Sequence, residues 1–290
     1  MKIAYLASAQ SLPGPKASEI DALEHQQMLD TVRPAFEEKG MSLVDFAWDE
    51  ENVAWDEFAA VIIGTTWDYC DRHAEFLQAL DAITAQTLLM NTPEIVRWNS
   101  QKTYLRGLEE KGIPVVPTIW LDDPEQTVNW QACFDQLNTD KLVVKRQVGA
   151  GAAGQFLLAP DEQAPVLTHA MMVQPFLNSI VKEGEYSVIF IDGTFSHALI
   201  KRPKDGDYRI QAYYGGQEEA VDMSPSDIDA AQNVLSSLPE MPLYARVDMV
   251  RGGEGSLVLM ELELVEPFLY PMQSTRLGEL LSSAVLKRLA

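Results

Sequence analysis

Cysteine is scarce in this chain. Cys70 and Cys133 are the only two among 290 residues. They form no CxxC pair, so they offer neither a disulfide framework nor a thiolate metal cage, and the expected compartment is a reducing cytosol. Histidine is sparse too. His25, His73, His169 and His197 lack the spacing of a zinc site and read as ordinary core or surface residues. No apolar run is long enough to cross a bilayer, and no membrane partner is expected. The opening MKIAYLASAQ reads as a first β-strand rather than a signal peptide. Positive charge is the largest shortage, with 22 Lys and Arg against 43 Asp and Glu, a formal net charge of −21. Such a field repels phosphodiester backbones, which excludes nucleic acid as a partner. It also makes any local cluster of cations informative.

What is present is an alternation of strands and helices. KIAYLA (2–7), SLVDFA (42–47), AAVIIG (59–64) and TLLMN (87–91) are apolar runs. Helical patterns at about 19–39 and 74–83 separate them, with Gly40 placed to end the first. This order predicts a parallel, doubly wound α/β sheet whose ligands collect at the carboxyl ends of the strands. A helical connector follows at 92–118, with Asn99 or Ser100 as its cap and an end near Gly112. Then come strand KLVVKRQ (141–147), a glycine-rich loop and QFLLA (155–159). Beyond Met171 the pattern is mostly β. A hairpin over 185–202 turns at Asp192-Gly193, and helices are expected at 225–238 and 275–289.

Three stretches carry chemistry. In YARVDMVRGGEGSLVLMELELVEP (244–267), carboxylates sit inside alternating apolar strands, where they are costly unless paired. Glu261 and Glu263 are two apart and share a strand face, with Met260, Leu262 and Leu264 expected on the other. Asp248 on the neighbouring strand can approach them if GGEG makes the turn. Three converging oxygen donors suit Mg²⁺ or Mn²⁺. A solvated strand face would show the same alternation, but Asp248 beside Arg246 in a second apolar strand favours the metal. The second stretch is KLVVKRQVGAGAAGQ, where Lys145 ends a strand before Gly149, Gly151 and Gly154. A loop so free of side chains can lie over a polyphosphate, although a plain turn has the same composition. The third is IKRPKDGDYR, conspicuous in an acidic chain. Arg202 and Arg209 are the candidates for phosphate oxygens there, and Lys204 reads as a surface residue.

Taken in order, these stretches resemble the ATP-grasp superfamily of carboxylate ligases. WNSQKTYLRGLEEKGIPVVPT resembles the segment holding the first nucleotide lysine, here Lys102, and LVVKRQVGAGAAG the second lysine strand and its phosphate loop. The stretch from Met172 to Gly216 is similar to the glutathione synthetase and RimK-type branch. That likeness implies a hinge at Gln174, Pro175, Phe176 and Leu177 for adenine, and Glu185 for the ribose hydroxyls. ARVD followed by MELE resembles the metal-binding end seen also in D-alanine–D-alanine ligases. The likeness implies that Asp248, Glu261 and Glu263 hold two Mg²⁺, with Mn²⁺ as an alternative and Glu266 as a rival to Glu263. Arg246, Arg202 and Arg209 would be catalytic. Relatives commonly end this strand in Glu-x-Asn, where this chain has Glu261-Leu-Glu263. GTTWDY (64–69) resembles a small subgroup that includes a cycloserine-forming cyclo-ligase, whose members often carry Arg in place of Gly64.

The implied architecture is an ATP-grasp fold, a Rossmann-like parallel α/β domain at 1–98 and two α+β subdomains at 99–175 and 176–290 gripping ATP. The implied activity joins a small carboxylate to an amine through an acyl phosphate, with an intramolecular cyclo-ligase or an ATP-dependent kinase as rivals. A non-catalytic nucleotide module ranks last, because the carboxylates and lysines are all retained. The relatives suggest a homodimer. Substrate-lining candidates are Ser8 to Ser11 and Thr65, Thr66, Trp67, Asp68 and Tyr69. Asp68 is placed to meet an ammonium, and Arg72 or Arg97 a carboxylate.

Overall fold

The computed structural model describes residues 1–149, 154–204, 210, 215–253 and 255–290. Its first layer comprises β1 (Lys2–Ala7), α1 (Glu19–Glu38), β2 (Ser42–Ala47), β3 (Ala60–Thr65), α2 (His73–Thr84) and β4 (Leu88–Met90). These strands pair in parallel in the order β2-β1-β3-β4. β3 is buried along its whole length, the condition under which a strand reads as a continuous apolar run. One sheet face packs on Met28, Leu29, Val32 and Phe36 of α1, and the other on Phe76, Leu80 and Ile83 of α2. The Ser18 hydroxyl accepts the Asp21 amide to start α1, and Gly40 at φ 71° follows its end.

The connector is α3 (Pro93–Asn99) and α4 (Tyr104–Glu110). A second layer holds β5 (Ile119–Leu121), α5 (Trp130–Leu137), β6 (Leu142–Arg146), β7 (Phe156–Leu158) and β8 (Met171–Pro175), an antiparallel sheet ordered β5-β8-β6-β7. The short α6 (Asn178–Lys182) leads to the third layer. That layer contains β9 (Glu185–Ile191), β10 (Thr194–Arg202), β11 (Gln217–Ala220), α7 (Pro225–Ser236), β12 (Tyr244–Arg251) and β13 (Leu257–Glu263). Its strands are antiparallel in the order β11-β10-β9-β12-β13. Asp192 and Gly193, at φ 46° and 75°, make the expected tight turn. The chain closes with α8 (Leu277–Leu289), which returns to α1. A Cβ on Gly278 would come within 2.5 Å of the Thr31 carbonyl, so glycine sets how closely these helices approach.

The connector departs from the single helix expected. Neither Asn99 nor Ser100 caps α4, whose N-cap is Thr103. Asn99 is a splint instead. Its amide donates to the Leu262 carbonyl and its oxygen accepts the Leu264 amide, both at 2.8 Å. That ties α3 to the strand carrying the candidate metal ligands.

Candidate active site

The third sheet divides its chemistry by strand period. Tyr186, Val188, Ala245, Val247, Leu262 and Leu264 turn to one apolar core. The residues between them, Glu185, Ser187, Arg246, Asp248, Glu261 and Glu263, therefore share the opposite face. Register aligns Asp248 with Glu261 and Arg246 with Glu263, and Asp248 with Ser187 on the other side. A bulge interrupts this pairing: Met249 faces Leu259, which leaves Met260 as the extra residue. Met260 was expected among the residues of the apolar face. The bulge turns it toward the cleft, where it lines two cavities.

The larger cavity, about 470 Å³, brings Lys102, Lys145 and Gly149 together with Glu185, Asp248, Glu261 and Glu263. A smaller one of about 60 Å³ is walled by Val143, Gln174, Pro175, Phe176, Leu177 and Met260. Lys145 and Glu185 border both. Lys102 links the parts directly, donating to the Gly149 carbonyl at 2.6 Å and lying 3.0 Å from Glu261 Oε1. Burial lowers the pKa of Lys145 against the pull of Glu261 and Glu185. The side chain of Gln174 is buried and donates to Thr118 Oγ1 at 3.0 Å, and the Phe176 amide donates to the Lys141 carbonyl at 2.8 Å. Gly154, at φ 70°, packs so closely on Arg146 that a Cβ would lie 2.4 Å from its Nε. Gly151 and Arg209 lie outside the described residues.

The carboxylates are matched by cations. Arg246, 8% exposed, donates from Nε to both oxygens of Asp248 at 3.0 and 3.1 Å, from Nη2 to Glu263, and from Nη1 to the Phe268 carbonyl at 3.1 Å. Ser187 also donates to Asp248. Burial alone would raise the Asp248 pKa, but Arg246 and Lys201 outweigh it and hold the carboxyl below its ordinary range. Burial raises Glu185 and Glu263. Among the described residues no three His, Cys, Asp or Glu side chains already converge on a metal position. Magnesium is usually held by one or two carboxylates plus phosphate oxygens and water, not by an all-protein cage. The in-register pair Asp248 and Glu261 fits that donor set.

Arg202 does not join the cluster. Strand alternation turns it away, and it donates to the Glu183 carbonyl at 3.0 Å and to Glu219 at 2.8 Å. Its neighbour Lys201 takes the inward place, 5% exposed, 2.5 Å from Glu185 and 3.6 Å from Asp248. Alternation counted from Glu185 through the hairpin points to Arg202; a bulge between Phe195 and His197 shifts the strand phase by one and places Lys201 opposite Glu185 instead.

The substrate candidates separate as well. Trp67 and Tyr69 line the cavity, with the Trp67 indole donating to the Glu266 carbonyl at 3.0 Å. Ser8, Thr65 and Asp68 are occupied elsewhere. Ser8 accepts the Ser11 amide at 3.2 Å, Thr65 Oγ1 bonds His25 Nδ1 at 2.6 Å, and Asp68 accepts the Trp48 indole at 2.7 Å. Thr66 is fully buried, its hydroxyl without a hydrogen-bond partner among the described residues. Arg72 is held by Asp49 and Glu75, and Arg97 by Asp81. At Gly64 a Cβ would fall 2.0 Å from the Tyr5 ring and 2.7 Å from the Leu6 carbonyl, so Tyr5 fills the space of any side chain there. The sequence reading missed Asp21 and Glu24 on α1, Glu218 on β11 and Tyr270, all of which line the cavity.

Residues 3–91 match the family model described as D-cycloserine synthetase DcsG, N-terminal domain, and residues 159–255 match the ATP-grasp domain of prokaryotic glutathione synthetase. The chain is 28% identical to the cycloserine biosynthesis protein DcsG of Streptomyces lavendulae over 240 residues, 77% of this chain and 80% of that protein. It is 25% identical to the glutathione synthetase of Rhodopseudomonas palustris over 65% of this chain and 59% of the relative. The crystal structure of D-cycloserine synthetase DcsG covers the whole of both chains with a TM-score of 0.84 at 26% identity. A D-alanine–D-alanine ligase from Bacillus anthracis shares the fold, with a TM-score of 0.71 at 14% identity over 100% of this chain and 97% of that one.

Proposed function

The chain belongs to the ATP-grasp ligases, with an N-terminal domain of the DcsG type, and from that premise we propose how its own residues do the chemistry. It is an ATP-dependent, ADP-forming ligase of the carboxylate–amine class. One observation carries the residue assignment. Lys102 touches both the Gly149 carbonyl and Glu261, so the phosphate loop and the candidate metal carboxylates meet at one point.

In this reading adenine sits in the small cavity between Phe176, Leu177 and Met260, and the triphosphate runs past Lys145 and Lys102 to the charged sheet face. Glu185 faces the ribose hydroxyls. Asp248 and Glu261, with Glu263 as the third ligand, would hold one or two Mg²⁺, whose charge would neutralise that developing on the phosphates. A substrate carboxylate oxygen attacks the γ-phosphorus and ADP leaves, giving an acyl phosphate. An amine then attacks the acyl carbon, phosphate departs and the amine loses a proton. Lys102, Lys145 and Lys201 supply fixed positive charge along this path, and Trp67 and Tyr69 wall the acceptor end. Arg246 keeps Asp248 and Glu263 in place.

The test is Mg²⁺-dependent ADP release across amino acids and dipeptides, with mass analysis of the product. Amide formation with ADP is expected, and ADP without any new C–N bond would favour a kinase. A second reading rests on the DcsG match of residues 3–91, an intramolecular cyclo-ligase. A cyclic product from one substrate, with no amine added, distinguishes it.

A further inference from the structure

Five residues other than glycine have positive φ among the described residues. Four of them are Asn52, Asn91, Asn138 and Asp192, whose short polar side chains tolerate the left-handed region. The fifth is Tyr270, at φ 48° and ψ 62°. Neither its bulk nor its place before Pro271 favours that conformation, since the residue ahead of a proline is normally extended. Such a backbone persists only where its surroundings impose it, and residues of this kind gather at functional sites. Here the brace is visible. His197 Nε2 donates to the Leu269 carbonyl at 3.0 Å, and the Ser196 hydroxyl donates to His197 Nδ1 at 2.9 Å. Burial lowers the His197 pKa to about 4, so the imidazole stays neutral and keeps that tautomer.

The ring that this backbone presents lines the larger cavity and is 6% exposed. Phe268 meets it edge-on with centroids 5.0 Å apart. The Arg246 guanidinium and the Lys201 ammonium lie 5.5 and 5.9 Å from its centroid. Both cations also reach Asp248, at 3.0 and 3.6 Å. The Tyr270 hydroxyl has no hydrogen-bond partner among the described residues, whereas buried phenols usually find one. Tyr244, 2% exposed, shows the ordinary case, its hydroxyl donating to the Ile63 and Val265 carbonyls at 2.7 and 2.9 Å. A phenol is protonated at neutral pH and can donate. An anion drawn in by Lys201 and Arg246 is the acceptor that this donor lacks.

We propose that the Tyr270 hydroxyl is a catalytic group of this site, donating a hydrogen bond to an oxygen of the phosphoryl group as it passes from ATP to the substrate carboxylate. The phosphorus bond to the ADP oxygen breaks, the bond to the carboxylate oxygen forms, and Tyr270 keeps its proton throughout. The proposal rests on the ligase reading and adds a residue to it. Charge spreads over the phosphoryl oxygens during transfer, so a fixed neutral donor beside two cations counts most at that moment. The left-handed backbone brings the ring of a residue beyond β13 over the sheet face that carries Lys201 and Arg246.

Calorimetric binding of ADP and Mg²⁺ to the full chain, with and without aluminium fluoride, tests this apart from turnover. The fluoride complex stands for the phosphoryl group in transfer and should tighten ADP binding in the wild type. Tyr270→Phe keeps the ring and removes only the hydroxyl. It should cut that tightening by about 10-fold or more, while ADP alone binds within about 2-fold and Tm is unchanged. Tyr244→Phe is the structural control, expected to lower Tm and to leave the tightening as it was. Equal tightening in the wild type and Tyr270→Phe overturns the proposal and leaves the ligase reading intact. No tightening in the wild type overturns it as well. Loss of tightening in Tyr270→Phe, with no amide formed from any acid, would uphold the phosphoryl contact and sink the ligase assignment instead.

Discussion

The two ends of one sheet face do opposite work. Near the β9–β10 turn, Ile189, Ile191, Leu199 and Tyr244 pack against β1, α1 and α8 in a single core. A few residues along the same strands, the inward positions become Glu185, Lys201, Arg246 and Asp248. The backbone is equally regular at both ends, so the difference lies in the side chains. The apolar end locks the third layer to the N-terminal layer. That contact sets how far Trp67 and Tyr69 stand from Lys102 and Glu261. Stability is drawn from one end, and the other is held in place while carrying buried charges that favour binding over stability.

The comparison breaks most sharply at Glu261. Glu261→Ala is expected to cut kcat by about 10²–10³-fold or more with an unchanged circular dichroism spectrum. Activity near wild type would remove Glu261 from the metal site. Next is the neighbouring pair on β10. Lys201→Met should lower kcat/KM for ATP by about 10²-fold, whereas Arg202→Met, which removes an exposed ion pair, should stay within about 3-fold. Steady-state kinetics on both variants checks the inward assignment, and the reverse order would overturn it. At the apolar end, Leu199→Ala should cost about 2–5 kcal/mol in denaturant unfolding with KM for ATP unmoved.

The smallest effect is a stability gain. Glu24 has a folded-state pKa of about 7 against an ordinary 4.5. Its ionisation therefore disfavours the fold fully above pH about 7 and not at all below about 4.5. Glu24→Gln should raise Tm by a few degrees at pH 8, and the gain should fade toward pH 4.5. A gain that does not depend on pH would point to packing instead.

Much of this was legible in the chain itself. Continuous apolar runs marked β1 and β3 because both faces of a parallel sheet are buried. Asp192-Gly193 marked the hairpin because both residues take positive φ. Asp248 and Glu261 stood out because charge within apolar strands needs a reason, Lys145 because it ends a strand before the glycine loop and Lys102 through the family resemblance alone, and the fold brings all four to one cavity. Lys201 rather than Arg202 faces inward because a bulge between Phe195 and His197 shifts the phase by one residue, which counting along the strand does not reveal. Thr65 and Asp68 were misread because polar residues after a strand look alike, whether they face the cleft or bond to His25 and Trp48.

Periodicity and local turn chemistry thus pointed to the layers and the strand directions, since these depend on neighbours within a few positions. Only the folded chain decided which carboxylates form no ion pair among the described residues. Glu24, Glu218 and Glu266 are far apart in sequence, and α1, β11 and the segment after β13 meet around one cavity only after three sheets have packed. Electrostatic energy depends on distance and burial, and neither is defined until tertiary structure brings these side chains together.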